Sequence, residues 1–225
     1  MADITVGGLT PMTSIDLPGR LAAVVFCQGC PWRCDYCHNS ELRPRHNKKA
    51  MDWSRIMDFL KGRRGLLDGV VFSGGEPTLQ SGLVDAVQEV KALGFQVGLH
   101  TAGPYPRRLE RLLPWLDWVG MDVKAPFHRY EAVTGVFGSG VRARESVKRI
   151  LGSGLSHEFR TTVDHRLLRD GDLLSLARSL ASLGVRQYAL QACRYGADWL
   201  DRQPIDEDLV TEIGALFEIF TLRTH

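Results

Sequence analysis

No stretch of this chain is apolar for the eighteen or so residues that a membrane-spanning helix needs. Residues Met1 to Gly8 lack the basic-then-apolar pattern of a secretory leader. The expected location is therefore the cytoplasm. An excess of one charge sign is missing too: 28 basic residues face 26 acidic ones, interspersed, for a net charge of +2. That balance points to neither nucleic acid nor an anionic membrane as partner. There is no low-complexity segment, no Pro/Gly/Ser linker and no internal repeat, so the 225 residues read as one domain, 1–225. Cysteine is scarce as well. Only five occur, and four of them fall within the thirteen residues Cys27 to Asn39. In a reducing compartment such clustering excludes a disulfide frame and points to metal binding or catalysis.

The spacing Cys30-x3-Cys34-x2-Cys37 puts three thiolates on one tight loop. They repel one another unless a positive centre sits among them, and soft sulfur ligands suit zinc, copper(I) or an iron–sulfur cluster. Structural zinc sites use two separated ligand pairs. No second pair exists here, and Cys37 and His38 are adjacent. A redox pair of Cys34 and Cys37 leaves Cys30 unused. A closed four-iron cluster takes four cysteines, so three imply a cluster with one iron left open. Cys27 and Cys193 cannot complete a second cluster and read as small buried residues.

Around this loop one pattern recurs: a short β-branched or apolar run, a turn, then an amphipathic helix. Strands are expected at 21–26, 69–73, 95–100, 118–124, 158–164 and 187–192, with a short edge strand at 6–9. The clearest helix carries Leu79, Leu83, Val87, Val90 and Leu93 as one stripe and stops at Gly94. Other helices are expected at about 52–63, after Pro106, at 142–151, at 171–183 and finally at 206–220. Six such units predict a parallel α/β sheet with right-handed crossovers, arranged as a partial (β/α)6 barrel. The polar residues decide between a barrel and a flat sheet. Cys30–Cys37, Ser73–Glu76, Thr101, Asp122, Lys124, Arg160 and Gln191 all fall at or just past strand C-termini, and barrels build active sites at that end.

The cysteine loop after a first strand resembles the radical S-adenosylmethionine superfamily. With Phe26-x-Gln28-Gly29 before it and His38-Asn39 after it, the loop resembles the activating enzymes of glycyl-radical enzymes. Gly8-Leu9-Thr10-Pro11 and Ile15-Asp16-x-Pro18-Gly19 extend the likeness to anaerobic ribonucleoside-triphosphate reductase activating proteins. The resemblance implies a [4Fe-4S] cluster on Cys30, Cys34 and Cys37, with S-adenosylmethionine on the open iron. It also implies reductive cleavage to a 5′-deoxyadenosyl radical, which takes a hydrogen from a glycine of a partner enzyme. A flavodoxin or ferredoxin-like protein would supply the electron. Gly74-Gly75-Glu76-Pro77 could be a plain strand-to-helix turn; in the family it meets the amino group of S-adenosylmethionine. Asp122-x-Lys124, placed on one strand face by alternation, and Arg160, whose fork suits a carboxylate, are carried over as cosubstrate contacts. Thr101 is carried over for its hydroxyl.

His100 departs from the family's pattern, where aspartate stands, and reads as a buried, hydrogen-bonded histidine. The stretch between Cys37 and the second strand has no room for a ferredoxin-like insert. The basic run Arg43 to Lys49 reads as a solvated loop, or as a surface for an acidic partner protein. Two other functions stay open at this point. One is radical chemistry on a small molecule of the deazapurine-forming type, with His128-Arg129-Tyr130 and Cys193-Arg194-Tyr195 as substrate residues. The other is a zinc-stabilised binding module.

Overall fold

The computed structural model describes residues 2–193 and 205–223. Strand β1 (Val6–Thr13) lies antiparallel on β2 (Ala22–Cys27). From there the chain alternates: α1 (Trp53–Lys61), β3 (Gly69–Gly74), α2 (Leu83–Ala92), β4 (Gln96–Thr101), α3 (Pro106–Leu112) and β5 (Trp118–Asp122). Then follow α4 (Tyr130–Thr134), α5 (Ser139–Ser153), β6 (His157–Val163), α6 (Asp170–Ser182), β7 (Gln187–Ala192), α7 (Glu207–Gly214) and β8 (Ile219–Arg223). The eight strands pair in chain order, and every pair after the first is parallel. The order does not close on itself. The expected partial barrel with an N-terminal edge strand is what forms.

Its last unit differs from the expectation. The predicted helix 206–220 ends at Gly214, and Ile219–Arg223 becomes a strand, registered from Gln187↔Ile219 to Gln191↔Arg223 on β7. The apolar residues of this short stretch fit either period. The free edge of β7 decides for a strand, since pairing satisfies backbone groups that a frayed helix end would leave to water. Among the described residues the parallel strands therefore number seven rather than six. At β5, Lys124 lies just past the strand's end at Asp122. Leu79 sits in a short 3₁₀ turn, Pro77–Leu79, ahead of α2 rather than inside it. Asp206 does begin the last helix, its carboxylate accepting from the Leu209 N–H at 2.9 Å.

The two sheet faces divide by alternation. Ala23, Val25, Val70, Phe72, Val97, Leu99, Val119, Met121 and Phe159 meet Ile56, Leu60, Val87, Val90, Leu109, Val147 and Leu173 in one continuous core. On the opposite, inner face, Ala22, Val24, Val71 and Trp118 close around Leu17, which is supplied by the loop after β1. A Cβ at Gly120 would stand 2.5 Å from Trp118 Cη2, so only glycine leaves that indole its place. This apolar plug fills one part of the inner face. The remaining inner positions, towards the strand C-termini, are polar and form the site.

Candidate active site

The first site element is the cysteine loop, leaving β2 at its C-terminal end. Cys30, Cys34 and Cys37 line one cavity, together with Trp32, Tyr36, His38 and Asn39 from the same loop. Later strand ends complete it: Ser73, Gly74 and Gly75 after β3, His100, Thr101 and Ala102 after β4, Asp122 and Lys124 after β5, Arg160 and Thr162 on β6, Gln191 on β7. The loop is held by Cys37 N–H donating to Cys34 O at 3.2 Å and Arg33 N–H donating to Thr134 O at 2.8 Å. Gly74 turns the chain at φ +112°, and a Cβ on Gly75 would lie 2.4 Å from Gly29 O. Both glycines are needed to bring that backbone against the cysteine loop.

Met121 and Val123 are fully buried towards the helices, so Asp122 and Lys124 face the cavity, as alternation requires. Asp122 Oδ1 accepts from Arg160 Nε at 2.5 Å, and Lys124 Nζ stands 3.8 Å from Asp122 Oδ2. Burial alone would raise the Asp122 carboxyl; Arg160, and then Lys124, hold it down at about 2. Lys124 stays protonated against its burial because Tyr36, Cys34 and Asp122 surround it. Its ammonium lies 5.4 Å from the centre of the Tyr36 ring, a cation–π distance. Lys124, Arg160 and Asp122 thus put two cations and one anion on the cavity wall.

Glu76 is placed differently from the other expected contacts. It does not line the cavity but is buried beneath it, 1% exposed. Its Oε1 accepts from Thr78 N at 3.0 Å, Thr78 Oγ1 at 2.5 Å and Thr101 Oγ1 at 2.7 Å; its Oε2 accepts from Ala102 N at 2.9 Å. Burial raises its pKa, against these four donors. Glu76 thus ties the turn after β3 to the end of β4. Thr101 lines the cavity, but its hydroxyl hydrogen is given to Glu76. His100 is the hydrogen-bonded histidine expected, with Nε2 3.0 Å from Asp16 O and its ring edge-on to Trp118. Burial, followed by the Arg160 charge, lowers its pKa to about 4.

Several lining residues were not singled out from sequence. Trp32 and Tyr36 stand inside the cysteine motif, and Thr162 follows Arg160 on the same strand face, where its Oγ1 accepts from Nε2 of the expected Gln191 at 2.8 Å. Strand alternation could have found Thr162. Nothing local marks Trp32. Cys27 and Cys193 are both buried, the latter with Sγ 4.0 Å from His38 Nε2. Arg194 and Tyr195 lie outside the described residues.

A model of the Radical SAM superfamily matches residues 24–186, a span that holds the three cysteines and every cavity residue except Gln191. The chain belongs to the radical SAM superfamily. Among its relatives, a putative glycyl-radical enzyme activating enzyme of Methanocaldococcus jannaschii is 30% identical over 83% of this chain and 78% of its own length. The pyruvate formate-lyase-activating enzyme of Clostridium pasteurianum is 34% identical over 55% of this chain. This chain spans about half the length of that enzyme, 54%. A radical SAM methyltransferase of Sphaerobacter thermophilus superposes with a TM-score of 0.71 at 16% identity, over 94% of this chain and 68% of its own. QueE of Escherichia coli does so at 0.58 and 18%, over 99% and 94%. The two structures share the fold.

Radical SAM membership implies a [4Fe-4S] cluster and S-adenosylmethionine, and the cavity fits both. Burial, then Glu76, pushes the Cys30 thiol up to about 12, and burial raises Cys34. Bare thiols there stay protonated and become thiolates when a metal centre binds. Among the described residues no three His, Cys, Asp or Glu side chains converge to hold a single metal ion. A cubane needs no such convergence, because each thiolate takes a different iron. Trp32 Nε1, on the cavity lining, is buried without a hydrogen-bond partner, as a donor kept for a bound group would be.

Proposed function

We propose that this radical SAM enzyme forms a glycyl radical on a partner protein, and that the partner is an anaerobic ribonucleoside-triphosphate reductase. The observation that carries the reading is the single cavity joining Cys30, Cys34 and Cys37 to Gly74, Gly75, Asp122, Lys124 and Arg160. The activating-enzyme relatives support the reaction class. When bound, the cluster supplies an electron and S-adenosylmethionine supplies the carbon–sulfur bond that yields the radical.

The chain's own residues position and shield. Arg160 gives its Nε–H to Asp122, which turns its two terminal nitrogens to the task of holding a carboxylate or ribose. Lys124 adds a second positive charge on the same wall. The backbone at Gly74 and Gly75 meets the ammonium end. Glu76 holds that backbone in place from below. Trp32 and Tyr36, 1% and 7% exposed, exclude water from the cavity floor. An open sheet, unlike a closed barrel, leaves a side through which a peptide loop of a partner can reach the cavity. A flavodoxin or ferredoxin-like protein is the proposed electron source.

The reductase assignment rests on Gly8-Leu9-Thr10-Pro11 and Ile15-Asp16-x-Pro18-Gly19. A pyruvate formate-lyase partner is the second reading, favoured by the 34% identity to the Clostridium enzyme. The test is anaerobic reconstitution followed by reduction with each purified partner in turn. A glycyl radical signal in the reductase supports the assignment, and a signal only in the lyase overturns it. Cys34→Ala should abolish the visible iron–sulfur absorbance. Colourless zinc-loaded protein that leaves S-adenosylmethionine intact would defeat the radical reading altogether. The chain would be cytoplasmic; no helix among the described residues is long and apolar enough to cross a membrane.

A further inference from the structure

The segment Arg43–Lys49 takes no part in the cavity. It holds four of the chain's 28 basic residues, plus His46, and no acidic residue, in a protein of net charge +2. The rest of the chain therefore carries a slight negative excess. Arg45, His46, Lys48 and Lys49 are exposed and Arg43 is half-buried. None of the four bases enters an ion pair among the described residues. A concentrated, unneutralised positive surface in an otherwise balanced protein is a steering feature for an acidic partner.

Its attachment says which partner. Gly29 N–H donates to Leu42 O at 2.7 Å, and Cys30 N–H to Arg43 O at 3.0 Å. The fully buried Gln28 donates through Nε2 to Glu41 O at 3.1 Å and Pro44 O at 2.6 Å, and accepts from Asn47 Nδ2 at 3.1 Å. A Cβ on Gly29 would lie 3.6 Å from Arg45 Cα. The basic surface is thus bonded through its main chain to the first cluster-ligand cysteine, and none of its residues lines the cavity. A partner whose glycine must reach the bound cosubstrate needs the cavity. A partner that delivers one electron needs only close approach to a cysteine ligand from outside.

We propose that Arg43–Lys49 is the docking surface of an acidic one-electron carrier protein of the flavodoxin type. The carrier loses one electron, the cluster gains it, and no bond is made or broken. This proposal rests on the reading of Cys30, Cys34 and Cys37 as cluster ligands. The test compares the full chain with the variant Arg45→Glu/Lys48→Glu/Lys49→Glu. Binding of an acidic flavodoxin is measured by calorimetry at low and high salt, on protein with and without its cluster. Cluster reduction by flavodoxin hydroquinone and by dithionite is followed by absorbance. At low salt the variant should bind flavodoxin about tenfold more weakly and be reduced by it about tenfold more slowly, with the salt dependence flattened and dithionite reduction unchanged. Wild-type behaviour of the variant towards flavodoxin overturns the proposal. So does equal slowing with dithionite, which would make the segment a support of the cluster loop. So does unchanged flavodoxin binding with lost binding of the glycyl-radical partner. Absence of iron–sulfur absorbance in the wild type would defeat the cluster reading, while calorimetry on the cluster-free protein still decides the docking.

Discussion

Replacing Glu76 with glutamine separates two roles that a motif alone does not distinguish. If the side chain touches S-adenosylmethionine, Glu76→Gln weakens cosubstrate binding and leaves the fold alone. The observed geometry requires the reverse order of effects. Each carboxylate oxygen accepts from a backbone N–H, Thr78 N at 3.0 Å on Oε1 and Ala102 N at 2.9 Å on Oε2. A glutamine in either flip therefore sets its NH2 group against a backbone donor. One buried N–H loses its acceptor, and one amide hydrogen is buried without a partner. Each costs roughly 1–3 kcal/mol, so the substitution should cost about 3 kcal/mol. For a chain of this size that corresponds to a fall of roughly 6–12 °C in Tm. The assay is urea unfolding of the cluster-free protein by circular dichroism, with S-adenosylmethionine affinity measured in parallel on the reconstituted form. An unchanged midpoint with a large loss of cosubstrate affinity would refute the clamp.

Arg223→Ala tests β8: it removes a two-bond pair to Glu158, at 2.9 and 2.7 Å, and strands a carboxylate that is 6% exposed. Arg223 itself is 40% exposed, so solvent screening brings the expected loss in urea unfolding to about 2 kcal/mol, below that of a fully buried pair. A neutral result would argue against the strand. His100 is held neutral with a folded pKa of about 4, by burial and then by Arg160. The unfolded chain, with its histidine near 6.5, takes up the proton first, so this group's share of stability is complete above about pH 6.5 and falls as pH drops towards 4. His100→Asn should flatten that part of the pH–stability curve. Trp32→Phe removes an unpartnered buried N–H, a relief that offsets the packing lost with the indole, so the cluster-free protein should change by less than about 1 kcal/mol in thermal unfolding while the reconstituted protein binds S-adenosylmethionine less tightly. Equal destabilisation of both forms would make the indole a packing residue only.

Much of the site was legible because the chemistry lies at short range. Cys30, Cys34 and Cys37 sit on one loop, and alternation alone puts Asp122 and Lys124 on the cavity side of β5. The recurring strand–turn–helix units made a parallel sheet readable, with its polar residues gathered at one end. What was not legible depends on partners far away in the chain. Glu76 follows two glycines at a strand end, where a ligand contact is a fair reading. Only the arrival of Thr101 and Ala102 from β4 turns its carboxylate inward. The stretch 206–220 carries apolar residues that fit a helix or a strand, and the vacant edge of β7 chose the strand for Ile219–Arg223.

The basic segment shows the same division. Its charge is plain in the sequence, Arg43 to Lys49 without an acidic residue. That it lies against Gly29 and Cys30, outside the cavity, follows from main-chain bonds the sequence does not display. By itself, then, the sequence determined the clustering of three cysteines on one loop and the layered architecture, because residue type, spacing and hydrophobic period are local properties. The tertiary structure decided which polar side chains line the cavity, which ones brace the wall behind it, and where the sheet ends. Those outcomes turn on hydrogen-bond partners and free strand edges supplied by residues distant along the chain.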